Sequence, residues 1–510
     1  MERSCAQSRA AAASENESCR ACPVFARNQA CNRQNTPAMT IENAFVAVVL
    51  TGLVILAGKL LRRRIGLLQR LYLPSSIIGG ILALLLGPQV LGALAGWMWG
   101  AESVLARGIW PQTTLDVWGA MPGLLISVVF AALFLGKKIP GIRPIWRQAG
   151  PMVAHGQTMA WGQYVVGLAL VIFLLTPIWG TTSLMGALIE IGFEGGHGTA
   201  AGLASTFEEL GFEDGADLAL GLATVGVVAG VLLGTAMINW GIWRGHLATP
   251  DSAAATAVEP ETLSEHENRE PVPLREVYSD KSIEPLSIHL GFVGLAISIG
   301  WLLLEGAILL EAALLVPLGW PQLMTHIPLF PLAMIGGVIV QLAGERLGYA
   351  DKIDRELMNR ISGSSLDMLI VAAMATLSLA ALGAHMGPLV ILAAGGVLWN
   401  VFGLVVLARF MFPRDWMQNG LANFGQGMGM TVIGLLLVRM SDPLNRTGAM
   451  EAFGYKQLLF EPIVGGGLFT AASLPLIALL GPWPVFLGTA CLMVGWLVFG
   501  LIAFGRGNTK

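Results

Sequence analysis

Runs of about 20 apolar residues recur along this chain, and a backbone in hydrocarbon can satisfy its N–H and C=O groups only within itself, as a helix or a closed barrel. Continuous runs of this length read as helices. They fall at 43–61, 73–95, 118–136, 151–176, 216–242, 286–308, 328–343, 364–383, 386–408, 456–480 and 484–505. Only 12% of residues are charged and 55% are hydrophobic, with a mean hydropathy of +0.67; soluble domains carry about 25% charge. The expected class is therefore an all-α polytopic membrane protein in contact with lipid. A net charge of -3 without a basic patch gives no reason to expect a nucleic-acid partner.

Two further apolar segments, about 184–205 and 417–438, do not read as ordinary spans. The first carries Gly195-Gly196-His197-Gly198-Thr199, the second Asn423-Phe424-Gly425-Gln426-Gly427-Met428-Gly429-Met430-Thr431. Broken helices are tolerated at membrane depth only where protein or a water-filled cavity takes up the freed backbone groups, and paired breaks in two halves point to a transporter's binding site. Taken as re-entrant hairpins, they leave about 11 transmembrane helices. Alternation then puts Lys59, Arg62, Arg63, Arg64, Lys137, Lys138, Arg244, Arg346, Arg355, Arg439, Lys456 and Arg506 on the cytoplasmic side, with Arg107 outside, as the positive-inside rule asks.

The domain organisation follows. Residues 1–38 form a polar leader, with Met39 as an alternative start of the fold. Cys19 and Cys22 in it make a Cys-x-x-Cys without the second pair that zinc needs. Residues 39–243 form a first membrane repeat, 244–284 a flexible cytoplasmic linker, 285–482 a second repeat, and 483–510 an extra C-terminal helix and tail. Pro74-x4-Gly79-Gly80 recurs as Pro331-x4-Gly336-Gly337, and the Gly230–Ala236 stretch is echoed at Gly465–Ala471. Because the halves begin on opposite sides, they are expected to be two inverted-topology repeats.

The breaks supply the chemistry. A hard cation such as sodium wants several oxygens, which Thr199, Thr224, Asn423, Thr431 and freed carbonyls provide. Gly195, Gly196, Gly198, Gly425, Gly427 and Gly429 let backbone approach a ligand. His197 and Gln426 add polar contacts, and helix N-termini facing the break favour a substrate carboxylate. Among ionisable groups at membrane depth, Asp367 and Glu194 are candidate sodium or proton ligands, and Glu190 is a further carrier. Asp367, after Ser362-Gly363-Ser364-Ser365, also reads as a carboxylate at a helix N-terminus. Glu208, Glu209, Glu213, Asp214 and Asp217 read as a solvated acidic loop, and Trp97, Trp99, Trp110, Trp118, Trp179, Trp320 and Trp483 as an interfacial belt.

With these residues in view, the chain resembles the sodium/glutamate symporter family of bacterial inner membranes. Gly195-Gly196-His197-Gly198-Thr199-Ala200-Ala201, the Phe207–Phe212 stretch and Ala223-Thr224-Val225-Gly226 carry the likeness in the first half. Leu73-Pro74 with Gly79-Gly80, and Phe424-Gly425-Gln426-Gly427-Met428-Gly429, extend it over roughly 41–480. The resemblance implies sodium-coupled uptake of glutamate or a related anionic amino acid, a homodimer, an alternating-access step and an inner-membrane location, with sodium as co-transported ion and no cofactor. The chain departs from the family pattern at Glu194, at Asn423, at Met430-Thr431-Val432 and in its last helix. Proton coupling through Glu194 or His197 is the alternative within transport. A membrane-embedded enzyme would need a nucleophile and base or a metal cluster among the spans, and the sequence offers neither motif; a passive channel fits paired breaks less well than alternating access.

Overall fold

The computed structural model describes residues 40–70, 73–100, 102–139, 142–247 and 285–505. The leader over 1–38, and all of the linker beyond Leu247, lie outside the described residues. Helix α1, Ile41–Arg64, begins where the Thr40 side chain accepts from the Asn43 N–H, and its last turn carries Arg62, Arg63 and Arg64, cations suited to the negative end of a helix. Next come α2 at Ser75–Leu85, α3 at Gln112–Ala132 and α4 at Ile142–Leu170, the last continuing through a π-turn, Val171–Leu175, to Trp179. After a 3₁₀ turn at Ser183–Ala187 and a π-turn at Glu190–Glu194 come the short α5 at Gly196–Gly202 and α6 at Ala204–Glu209, then the long α7 at Gly215–Trp243.

The second half has α8 at Pro285–Leu310, α9 at Leu329–Leu347, α10 at Arg355–Ala375 and α11 at Met386–Phe402. It closes with α12 at Trp416–Ser441, α13 at Ala449–Phe460, α14 at Leu468–Leu480 and α15 at Pro482–Phe504. Among the described residues, ten helices are long and apolar enough to cross a membrane. Nine of them coincide with expected runs; the tenth is α12, which is bent in its middle. Two expected spans differ. The run at 364–383 belongs to α10, which starts at Arg355 and stops before Thr376. The run at 456–480 is not one helix: α13 ends at Phe460 and α14 begins at Leu468, because Pro462 and the three glycines Gly465, Gly466 and Gly467 do not hold helical geometry.

The same close packing occurs twice. A Cβ on Gly79 of α2 would stand 2.8 Å from the Val54 carbonyl of α1, and Gly336 of α9 lies hard against the Ala296 carbonyl of α8. The following glycine turns to a third helix in each case: Gly80 packs on Met374 of α10, and Gly337 on the Ala131 carbonyl of α3. Small residues let membrane helices approach this closely where lipid gives no hydrophobic drive. The extra helix α15 lies along α4, where a Cβ on Gly150 would come 2.7 Å from the Phe504 ring.

Three local expectations are corrected. Trp118 is not interfacial: it is fully buried and donates to Thr51 Oγ1 at 2.8 Å, a partner that lets an indole N–H leave the interface. Asp367 is not at a helix start: Asp354 caps α10, accepting from the Glu356 and Leu357 N–H groups, and Asp367 lies in the helix interior beside Ser76. The acidic stretch from Glu208 to Asp217 is corrected only in part: Glu208, Glu209 and Glu213 are exposed, as a solvated stretch asks, but three of its carboxylates have partners. Glu209 Oε2 lies 3.4 Å from His326 Nδ1, Asp214 Oδ2 lies 3.2 Å from His385 Nε2, and Asp217 accepts from the Ser378 N–H. A cavity of about 470 Å³ opens between this loop, Trp179–Met185 and His385.

Candidate functional site

The break in α12 is a reversal of the chain. Gly429 (φ -162°, ψ 48°) and Met430 (φ 66°, ψ 175°) leave the helix, and beyond them Gly434 comes back alongside Gly425, where a Cβ would meet the Gly434 backbone at 2.7 Å. Nine residues of straight helix would hold those two about 13 Å apart. The carbonyl of Gly427, released by the bend, is taken up from two sides. Gln163 Nε2 of α4 donates to it at 2.7 Å and Asn400 Nδ2 of α11 at 3.0 Å, as a broken helix at membrane depth requires.

The first break lies at Gly195–Gly196, where Gly196 takes φ +72° and packs directly on the Met430 side chain, so the two breaks touch. Two carboxylates flank it, one turn apart. Glu190 accepts the Gly465 N–H and the Thr470 hydroxyl, each at 2.8 Å, and the Tyr164 hydroxyl at 2.5 Å. It thereby binds the first break to the interruption between α13 and α14. Glu194 is loosely held, with Gln163 Nε2 at 3.4 Å. In that interruption Gly466 (φ +100°) passes so close to Thr199 that a Cβ would stand 2.7 Å from its Oγ1.

Between these elements stands a charge. Lys456 of α13 is fully buried, with its Nζ 3.7 Å from the Phe460 ring centroid and donating to Gln426 Oε1 at 2.8 Å. Gln457 Nε2 donates to the same oxygen at 2.8 Å, and Thr431 Oγ1 donates to Glu461 Oε1 at 3.0 Å. On the α4 side, Asn423 Nδ2 lies 3.0 Å from His155 Nδ1 while His155 Nε2 faces the Gly403 carbonyl at 3.2 Å. That carbonyl fixes the proton on Nε2 and makes Nδ1 the acceptor. Four buried oxygens of this centre have no partner among the described residues: Gln163 Oε1, Thr199 Oγ1, Asn423 Oδ1 and Glu461 Oε2. Buried polar atoms are ordinarily bonded. Orphaned acceptors and a buried ammonium within one set of packed breaks are what a polar ligand's site needs.

The structure thus gathers Glu194, Asn423, Gln426, Gly427 and Thr431 near Lys456, and brings Gly195, Gly196 and Thr199 to the same centre from the other side. Other candidates serve elsewhere. Gly425 is a packing position at the chain reversal, and Gly429 is extended backbone, while the positive φ there falls on Met430. Gly198 faces Ile126 and Leu366. His197 pairs with Thr224, Nε2 to Oγ1 3.0 Å, away from the acidic residues. The expected ion ligands Thr224, Asp367 and Glu194 are not brought together, and among the described residues no group of three or more His, Cys, Asp or Glu side chains converges. Lys456, expected in a cytoplasmic segment, is inside the protein, because the run it heads is packed against α4 rather than emerging from it. Gln163, Tyr164, Asn400, Gln457 and Thr470 went unnoticed as site residues; their signal was a polar side chain within an apolar run, which Lys456 and Glu461 also carry.

Helices of membrane-spanning length around a buried polar centre, built where helices break, define a multi-pass membrane protein of the transporter class. The sodium/glutamate symporter family matches residues 125–435, more than half of the 510 residues. The chain belongs to that family. No curated protein matches it.

Proposed function

We propose that the protein is a secondary active transporter that couples sodium entry to uptake of glutamate or a related small anionic amino acid by alternating access. One observation carries this reading: the breaks at Gly195–Gly196 and Gly429–Met430 touch across a buried centre that holds an ammonium, the carboxylates of Glu194 and Glu461, and four oxygens without partners, one of them on Glu461. Family membership supports the ion and the substrate class. In this reading the α12 hairpin and its first-half counterpart are re-entrant, each entering and leaving on one side. The repeated Gly79–Val54 and Gly336–Ala296 contacts support two repeats, and the positive-inside pattern supports their inverted orientation; a homodimer in a bacterial inner membrane follows from the family resemblance alone. Thr199 Oγ1, Asn423 Oδ1 and Glu461 Oε2 are the oxygens offered to sodium. Broken helices that pack on one another at one site suit a site opened to each side in turn rather than an open pore.

The buried carboxylates Glu194 and Glu461 also suit coupling to protons, and a single experiment separates the cases. Protein reconstituted into proteoliposomes is given labelled glutamate with an inward sodium gradient, with potassium in place of sodium, and with an inward proton gradient alone. Accumulation only with sodium is expected. Accumulation driven equally by protons without sodium would replace the coupling ion, and none under any gradient by folded protein would overturn the reading.

A further inference from the structure

Lys456 differs from an ordinary buried lysine in what surrounds it. Its ammonium has three donors and one described hydrogen bond, to the neutral amide oxygen of Gln426. Glu194 and Glu461 both attract it, yet no described ion pair joins it to either. A buried charge left without a counter-ion is costly, and here the counter-charges are held back by their own elements, Glu461 by Thr431 and Glu194 by Gln163. Room is kept around the ammonium by Gly156 of α4: a Cβ there would stand 2.8 Å from Nζ and 3.3 Å from the orphaned Asn423 Oδ1. One further orphaned acceptor lies along the same face of α4. Gln163, with its orphaned Oε1 and its contact to Glu194, is seven residues from Gly156, about 10 Å along the helix axis. An ammonium at the level of Gly156 and unpartnered acceptor capacity about two turns away at Gln163 suit a ligand whose negative and positive groups sit at opposite ends.

Resting on the transport function proposed above, we infer that Lys456 holds the side-chain carboxylate of the transported amino acid, while its α-ammonium lies at the Glu194 and Gln163 end. Lys456 then sets specificity: it separates glutamate from glutamine, which has the same length but no charge to offer. A site arranged for a charged partner rejects the isostere lacking it far more strongly than an apolar pocket discriminates by size.

The test is competition in proteoliposomes under an inward sodium gradient, using full-length wild type, Lys456→Met, Lys456→Arg and Gly156→Ala, with unlabelled glutamate and glutamine competing against labelled glutamate. Lys456→Met is expected to raise the glutamate concentration needed for half-inhibition at least tenfold and to change that for glutamine less than threefold. Lys456→Arg is expected to keep the preference for glutamate. Gly156→Ala keeps the charge but pushes the ammonium aside, and is expected to shift the ratio the same way as Lys456→Met. The ratio of the two competitors is insensitive to how much protein folds, and Gly156→Ala carries the test if Lys456→Met cannot be recovered. An unchanged glutamate-to-glutamine ratio, or an equal loss of both, in these variants would overturn the role of Lys456. Failure of the wild type to accumulate glutamate with sodium would instead remove the transport reading beneath it.

Discussion

Replacing Glu190 by leucine tests the joint that holds the first break to the α13–α14 interruption. The change keeps about the same volume and removes every acceptor, so it leaves three donors behind: the Gly465 N–H, the Thr470 hydroxyl and the Tyr164 hydroxyl. A buried donor without a partner costs about 1–3 kcal/mol. The hydroxyls can swing to other acceptors, whereas the Gly465 amide is fixed in a glycine turn at φ +72°. Loss of the carboxylate also removes its own burial cost, which offsets part of the damage. The expected net destabilisation is about 3 kcal/mol, with Tyr164→Phe costing about 1 kcal/mol and the double variant less than the sum, a coupling of about 1 kcal/mol. Unfolding of the purified protein in detergent, followed for wild type, both single variants and the double, gives all four numbers. If Glu190→Leu costs no more than Tyr164→Phe, Glu190 is not the joint described here.

Three further outcomes follow from the same geometry. Gly427→Ala sets a methyl group on Asn400 Oδ1 and 3.2 Å from Gln163 Nε2; it displaces both donors to the Gly427 carbonyl, and sodium-driven uptake is expected to fall at least about tenfold, on the order of one lost hydrogen bond, with protein still present in the membrane; uptake at wild-type level would show that the bend does not need those donors. Gly466→Ala must hold a side chain at φ +100° against the Phe130 ring at 2.6 Å and Thr199 Oγ1; a cost of at least about 1–2 kcal/mol is expected from the backbone alone, read as a lowered midpoint of thermal unfolding. Burial opposes ionisation of Asp442, but the Thr447 hydroxyl, the Arg446 and Thr447 N–H groups and the Arg446 charge outweigh it and hold the carboxyl below its usual range. The folded pKa is thus the lower one, so the loop's stabilisation is complete above the ordinary aspartate range and is lost as pH falls through the depressed value. Protection factors for the Arg446 and Thr447 amides, each referred to the intrinsic exchange rate at that pH, should fall on acidification in wild type and be low at every pH in Asp442→Ala; equal protection in both would refute the account.

How much of this was legible beforehand depended on the range of the interaction involved. The apolar runs located nine of the ten long helices because burial of the backbone in hydrocarbon is a local demand, satisfied within each segment. The glycine clusters marked both breaks for the same reason, since Gly196 and the Gly427–Gly429 stretch weaken helices whatever surrounds them. Spacing failed where a residue's neighbours come from elsewhere in the chain. Spacing puts Asp367 at a helix start, but the capping residue is Asp354, thirteen positions earlier in the chain. Trp118 had the composition of an interfacial residue and the position of a core one, decided by Thr51 on a different helix.

Lys456 shows the division most clearly. By itself the sequence determined that the chain spans a membrane many times, that two glycine-rich segments interrupt it, and which family it belongs to, because each is written in the order of residues along one segment. Whether Lys456 points to water or into the protein is not written there, since a lysine heading an apolar run is compatible with either. Only the tertiary structure decided it, by packing α13 against α4 at Gly156 and setting Gln426 from the bent helix over the ammonium. The lysine's own helix supplies the Phe460 ring; the hydrogen-bond acceptor comes from another segment, so the cost of burying the charge is a property of how the segments meet.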